Sequence, residues 1–201
     1  MDRTAIIILA GGDSSRLGRP KQTLYYNGKS LLQHAADAAI GADLGPVMVV
    51  TGANEQLVLH KLDARGLTVV NNPDWQQGMG TGIRKGIESL YEENIASVII
   101  SVCDQPFISS DIFVQLVDAK QHSGKGIVAS AYGNTLGVPA LFDKKYFPRL
   151  RKSGQDEGAK QLIFEFAADV ARIDFQAGVI DIDTDEDYNI LLDQSSDHSL
   201  Q

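Results

Sequence analysis

Ile6-Ile7-Ile8-Leu9-Ala10-Gly11-Gly12-Asp13-Ser14-Ser15-Arg16-Leu17-Gly18-Arg19-Pro20-Lys21 is an apolar run that breaks at a glycine pair and continues as a polar, cationic stretch. Four consecutive aliphatic residues read as a strand buried on both faces, the habit of parallel strands covered by helices. Gly11 and Gly12 carry no Cβ, so a ligand can approach their backbone closely. Beyond them Ser14, Ser15, Arg16, Arg19 and Lys21 bring hydroxyls, backbone N–H groups and three cations to one strand end, which is how phosphates are held. Spacing separates the stretch from two common phosphate loops. A P-loop needs a second glycine where Leu17 stands, and Gly18 is followed by Arg19-Pro20 rather than Lys-Ser/Thr. A dinucleotide fingerprint needs spaced glycines and an acid closing the second strand; here the glycines are adjacent and Val49-Val50-Thr51-Gly52 has no acid.

The 201-residue chain, 43% hydrophobic, is long enough for one sizeable core, and a single domain over residues 1–193 with a polar tail at 194–201 is expected. A net charge of −8 argues against a nucleic-acid partner, while a small anion held with a divalent cation stays compatible. The single Cys103 allows no internal disulfide, and the apolar run at residues 5–10 is too short for a signal segment or a membrane span. A soluble cytoplasmic protein with no membrane partner is the expectation.

Outward from the first stretch, short apolar runs alternate with helical patterns, as in an α/β sheet covered by helices. Ser30-Leu31-Leu32-Gln33 has the form of a capping box and predicts a helix to about residue 42; residues 46–50 read as the second strand. Asn54 is expected to cap a helix to about residue 65, and residues 68–71 form the third strand. A second glycine-rich loop spans residues 71–82 and opens a helix through Ile83, Gly86, Ile87 and Leu90; helix N-termini offer free N–H groups to anions. Residues 97–102 are the clearest central strand, leading into Cys103-Asp104-Gln105-Pro106, where Asp104 faces the rim used by the first loop and can hold Mg²⁺. A helix over about 109–121, a turn at 123–126 and strands at 127–132 and 137–142 follow. Residues 179–183 alternate apolar and acidic, predicting a strand with Asp181 and Asp183 on one face, and Thr184 caps the last helix.

The opening stretch resembles the signature of the molybdenum-cofactor cytidylyltransferase and guanylyltransferase group, Leu-Ala-(Ala/Gly)-Gly-x-Ser-x-Arg-(Met/Leu)-Gly-x-x-Lys, matched by Leu9 through Lys21. Three further segments resemble the group's motifs in the same order. They are Asp104-Gln105-Pro106, Gly137-Val138-Pro139-Ala140-Leu141-Phe142, and Gln155-Asp156-Glu157-Gly158-Ala159-Lys160, in which Gln155 replaces a glycine. Asp183-Thr184-Asp185-Glu186-Asp187 is similar to the group's closing Asp-Thr-Pro-Glu-Asp, with Asp185 in place of proline. The resemblance implies a single-domain, Rossmann-like three-layer fold with a mostly parallel mixed sheet, and a nucleotidyltransferase that moves CMP or GMP from an NTP to a phosphorylated acceptor such as molybdopterin. Leu9-Ala10-Gly11-Gly12 is closer to the guanylyl branch; the later segments are closer to the cytidylyl branch, so CTP is favoured over GTP.

The implied site has Arg16, Lys21 and Asp104 as catalytic groups and Leu9, Ala10, Gly11, Gly12, Ser14, Gly78 and Thr81 as nucleotide contacts. Asp104 and Asp183 are the implied Mg²⁺ ligands, with Asp181 the alternative to Asp183. Transient contact with a molybdoenzyme or its chaperone is also implied. Two rival readings stand beside this one. A sugar-1-phosphate nucleotidyltransferase usually carries extra domains, and a non-catalytic nucleotide or cofactor chaperone has no need of Lys21, Asp104 and Asp183 together. His34, His60, His122 and His198 form no ligand pattern and read as structural or solvated, as does the acidic pair Glu92-Glu93. Cys103 reads as a small buried apolar group, and Trp75 as a loop anchor or a base-stacking residue.

Overall fold

The computed structural model describes residues 3–90, 94–154 and 157–197. Glu92, Glu93, Gln155, Asp156, His198 and the end of the expected tail lie outside the described residues. Nine strands are described: β1 (Arg3–Leu9), β2 (Tyr25–Tyr26), β3 (Lys29–Ser30), β4 (Val47–Thr51), β5 (Leu67–Asn71), β6 (Ile95–Val102), β7 (Ile127–Tyr132), β8 (Thr135–Asp143) and β9 (Val170–Asp174). The α-helices are α1 (Leu31–Gly41), α2 (Glu55–His60), α3 (Met79–Glu88), α4 (Ser110–Ser123), α5 (Phe147–Leu150), α6 (Ala159–Glu165) and α7 (Asp185–Asp197).

Seven strands form one mixed sheet in the order β5-β4-β1-β6-β8-β7-β9, and β2 and β3 make a small hairpin. The β5-β4-β1-β6 half is parallel, β8 runs antiparallel to both β6 and β7, and β9 is parallel to β7. Because side chains alternate along a strand, Ile6 and Ile8 of β1 pack with α1 and α4 while Ala5 and Ile7 pack with α3 and α6. The result is the expected three-layer α/β arrangement. Both apolar layers are closed to solvent: Phe113 on one side and Phe142 on the other are 0% exposed, so truncating either to Ala costs about 3–5 kcal/mol.

A third, smaller core matters more for function. Leu17 from the first loop packs with Leu24, Leu31, Ile182 and Leu191, tying that loop to α7. The chain is closed there by a reciprocal cap: the Asp187 N–H donates to Thr184 Oγ1 (3.2 Å) and the Thr184 N–H to Asp187 Oδ2 (2.8 Å).

Several local expectations are corrected. Ser30 does cap α1, accepting from the Gln33 N–H at 3.1 Å, but the Gln33 side chain turns to Asp37 and to the Asp63 N–H instead of completing a capping box. Asn54 sits in the left-handed region (φ 56°) and makes no side-chain cap bond among the described residues, and α2 ends at His60, short of the expected 65, with Asp63 and Arg65 bonded to each other in the turn that follows. Residues 179–183 are not a strand. Gln176–Val179 is a 3-10 turn, and the segment beyond makes one strand-like bond, from the Ile182 N–H to Asp104 O at 3.1 Å. The acidic-apolar alternation therefore reports Ile182 plugging the small core rather than a ladder. The last helix continues to Asp197, past the start of the expected tail at 194.

Candidate active site

Register places the site. Leu9 at the end of β1 lies opposite Val102 at the end of β6 and Val50 of β4, so residues 10–13 and 103–104 leave the sheet side by side at the carboxyl ends of parallel strands. A cleft of about 360 Å³ opens between them and the second glycine loop, which contributes Asn72, Trp75, Gly78 and Met79. The two loops meet at Gly52: a Cβ there would stand 2.6 Å from Trp75 Cβ and 2.8 Å from the Gly11 carbonyl oxygen, so only glycine fits.

The first loop is a built turn. Ser14, at φ 56°, accepts the N–H groups of Leu17 (3.0 Å) and Gly18 (3.1 Å) at its carbonyl and that of Lys21 (3.0 Å) at its hydroxyl. Burial of Leu17 anchors this turn, worth about 1.5–3 kcal/mol, and the cations flank it. Lys21 Nζ then reaches across to Asp104 Oδ2 (2.5 Å) and Asp183 Oδ1 (2.8 Å), and Arg16 Nη2 donates to Asp183 Oδ2 (2.7 Å). Further out, Arg19 pairs with Asp185 (2.7 Å) and lies over the Tyr188 ring.

Burial pulls the Lys21 ammonium down, yet the Asp104 charge and hydrogen bond, with Asp183, outweigh it and hold the group above the usual lysine range. The Lys21 hydrogen bond, against some burial and with Arg16 adding to it, keeps the Asp183 carboxyl below the usual carboxylate range. Asp181 moves the other way: burial and then the charges of Asp104 and Asp183 push it up. Cys103 is 2% exposed, and burial followed by the Asp104 charge pushes its thiol up to about 12. It is the inert apolar group the sequence suggested.

Of the residues expected at the site, Leu9, Gly11, Gly12, Lys21, Gly78 and Asp104 line the cleft, and Asp183 and Arg16 join through their ion pairs at its rim. Ala10, Ser14 and Thr81 do not line it. Ala10 is 1% exposed and Ser14 braces the loop from behind. Thr81, also 1% exposed, donates to Gly78 O (2.8 Å) and accepts from Asn72 Nδ2 (2.9 Å), so its hydroxyl fixes the first turn of α3. The helix begins at Met79, earlier than the pattern suggested. Gln22 was not anticipated as a cleft residue, whereas Asn72 and Met79 lie in the second glycine-rich loop that the sequence already placed towards a ligand.

Asp104 and Asp183 meet at one ammonium nitrogen, so their oxygens are separated by no more than those two contacts allow. This is a hard, all-oxygen donor pair, and Mg²⁺ typically takes one or two carboxylates and completes its shell with phosphate and water. Among the described residues no three of His, Cys, Asp and Glu converge as a self-contained metal cage. The residues therefore fit a divalent cation that arrives with a phosphate ligand.

A doubly covered, mostly parallel sheet with an anion loop and two convergent carboxylates at one rim defines an α/β protein of the nucleotide-handling class. The model of the MobA-like NTP transferase domain matches residues 6–170, and the chain belongs to that family. A Mycobacterium tuberculosis rv0371c homolog from Mycobacterium sp. strain JC1 superposes with a TM-score of 0.83 and 28% identity over 100% of this chain and 99% of that one. Molybdopterin-guanine dinucleotide biosynthesis protein A from Archaeoglobus fulgidus shares the fold at 14% identity and a TM-score of 0.71, covering 96% of this chain and 99% of that chain. Nicotine blue oxidoreductase of Paenarthrobacter nicotinovorans is 30% identical over 136 residues, 67% of this chain and 64% of that protein. The chain spans less than two thirds of the curated relatives it matches.

Proposed function

We propose that the protein transfers a nucleoside monophosphate from an NTP to a phosphorylated small-molecule acceptor and releases pyrophosphate. CTP is the favoured donor and GTP the alternative; a molybdopterin-type cofactor is the favoured acceptor, passed on to a molybdoenzyme or its chaperone. One of the relatives is named as an oxidoreductase, so family membership alone does not choose the reaction. The observation that carries this reading is Lys21 Nζ held between Asp104 and Asp183 beside the Gly11-Gly12 turn.

In the reaction an acceptor phosphate oxygen forms a bond to the α-phosphorus while the bond from that phosphorus to the bridging oxygen breaks, and the electron pair leaves with pyrophosphate. Two anions must meet, so neutralisation and alignment dominate the catalysis. Asp104 and Asp183 would hold Mg²⁺, which when bound supplies positive charge to the phosphate oxygens. The shared contact with Lys21 supports Asp183 over Asp181 as the second ligand. Lys21 and Arg16 turn from the carboxylates to the triphosphate, and the backbone N–H groups of the first loop bind its oxygens. No general base is required, because a phosphate nucleophile is already ionised at neutral pH, and the Cys103 thiol is too buried to act as one.

The test is pyrophosphate release from each of the four NTPs with Mg²⁺ and a panel of phosphorylated acceptors. CTP with a molybdopterin-type acceptor should turn over best, whereas preference for a sugar 1-phosphate selects the rival enzyme and absence of turnover selects a binding module. Lys21→Ala and Asp104→Ala should each lower turnover by about 10²- to 10³-fold, the scale of losing one preorganised charge contact. Full turnover in both variants overturns the assignment.

A further inference from the structure

Gln22 has no part in the chemistry above, yet it is 1% exposed and lines the cleft next to the first loop. Its Nε2 donates to two carbonyls of that loop, Ala10 O at 2.9 Å and Gly12 O at 2.8 Å. Its Oε1 is buried and has no hydrogen-bond partner among the described residues. A buried acceptor left unsatisfied is unfavourable, so the side chain is held in place by what its two N–H donors do.

A trans peptide directs its N–H opposite its C=O. Tying the Ala10 and Gly12 carbonyls inward to one amide nitrogen therefore turns the N–H groups of Gly11 and Asp13 outward, away from Gln22. Gly11, Gly12 and Asp13 all line the cleft. The Gly11 carbonyl is used, accepting from the Ala53 N–H at 3.1 Å, but the N–H groups of Gly11, Gly12 and Asp13 have no acceptor among the described residues. Adjacent free N–H groups facing one space form an anion-binding concavity.

We infer that Gln22 is a positioning residue: it clamps the first loop so that the Gly11 and Asp13 N–H groups are fixed as a receptor for phosphate oxygens of the nucleotide. This rests on the nucleotidyltransferase reading. Gln22 lines the cleft beside these residues, and the role assigned to it is exerted through the backbone it holds.

Inorganic pyrophosphate, which carries the recognised group without a base or sugar, is the probe. Calorimetry on wild type and on Gln22→Met, which keeps the side-chain length and removes both donors, should show pyrophosphate binding weakened about tenfold or more. The KM for NTP should rise with it while kcat falls less, because ground-state phosphate binding is what is lost. Gln22→Met binding pyrophosphate as tightly as wild type overturns the inference. Wild type failing to bind pyrophosphate or any NTP overturns instead the nucleotide reading on which it rests. If Gln22→Met does not fold, amide NMR of wild type decides: pyrophosphate should shift the Gly11 and Asp13 resonances, and unmoved resonances in a protein that binds it refute the clamp.

Discussion

Replacing Asp183 by Asn keeps the shape of the side chain and removes the charge that restrains Lys21 and Arg16. Both cations are engaged with carboxylates, so a triphosphate arriving without a divalent ion must compete with Asp183 for them. At 2.8 Å and an effective dielectric near 20, the Lys21–Asp183 attraction is about 6 kcal/mol. Desolvation, and water reaching a side chain that is 31% exposed, cancel most of it. The Arg16 contact, on a side chain 71% exposed, adds under about 1 kcal/mol. A net hold of about 2 kcal/mol remains, so Asp183→Asn should bind CTP about thirtyfold more tightly than wild type in EDTA. With Mg²⁺ the order reverses in turnover, because an amide is a poor ligand for that ion. Trp75, the single tryptophan, lines the cleft and reports both titrations by its fluorescence. Metal-free affinity that is unchanged or weaker in Asp183→Asn refutes the claim that this carboxylate and the phosphates share the same cations.

Asp169 is held at about 2 by Lys145 and then the Tyr146 hydroxyl, so the stability it contributes is complete above the ordinary carboxylate range, near pH 4, and is lost as pH falls towards 2. Thermal melts of Asp169→Asn should therefore show a shallower loss of Tm over that window, and an unchanged slope contradicts the clip. Asp185 occupies the first position of α7 after the Thr184 cap, so Asp185→Pro loses an exposed pair with Arg19 but gains a residue preset for that position. Urea unfolding should move by less than about 1 kcal/mol, and a loss above about 2 kcal/mol would give the Arg19 contact a larger role than its exposure allows. Cys103, buried and with its thiol pushed up to about 12, should resist a thiol reagent at neutral pH until the protein is unfolded; fast labelling of the native state contradicts the burial.

The parallel half of the sheet and its ligand rim were legible because its strands are short, mostly apolar runs, and the two that form the rim stop at residues with an obvious use. Leu9 stops at a glycine pair and Val102 stops before Asp104. The antiparallel insertion of β8 between β6 and β7 was not legible, since strand order depends on contacts between distant residues and not on the period of any one run. Residues 179–183 misled for a related reason: Ile182 alternates with acids because it fills the core under the first loop, and a strand pattern needs a neighbour to pair with. Thr81 looked like a ligand contact at a helix start, but the helix begins two residues earlier and Asn72 takes its hydroxyl. Gln22 gave no local signal at all. Its meaning lies in the two carbonyls it reaches, and these are defined only once the loop has folded back over it.

When the triphosphate binds, Asp104 and Asp183 should exchange Lys21 for a divalent cation. A crystal structure with CTP and manganese, read in the anomalous map, tests this most directly. A manganese peak in contact with both carboxylates and with phosphate is expected, with Lys21 Nζ moved onto a phosphate oxygen. Nucleotide bound with Lys21 still between the two carboxylates, or a peak that touches neither of them, would contradict it.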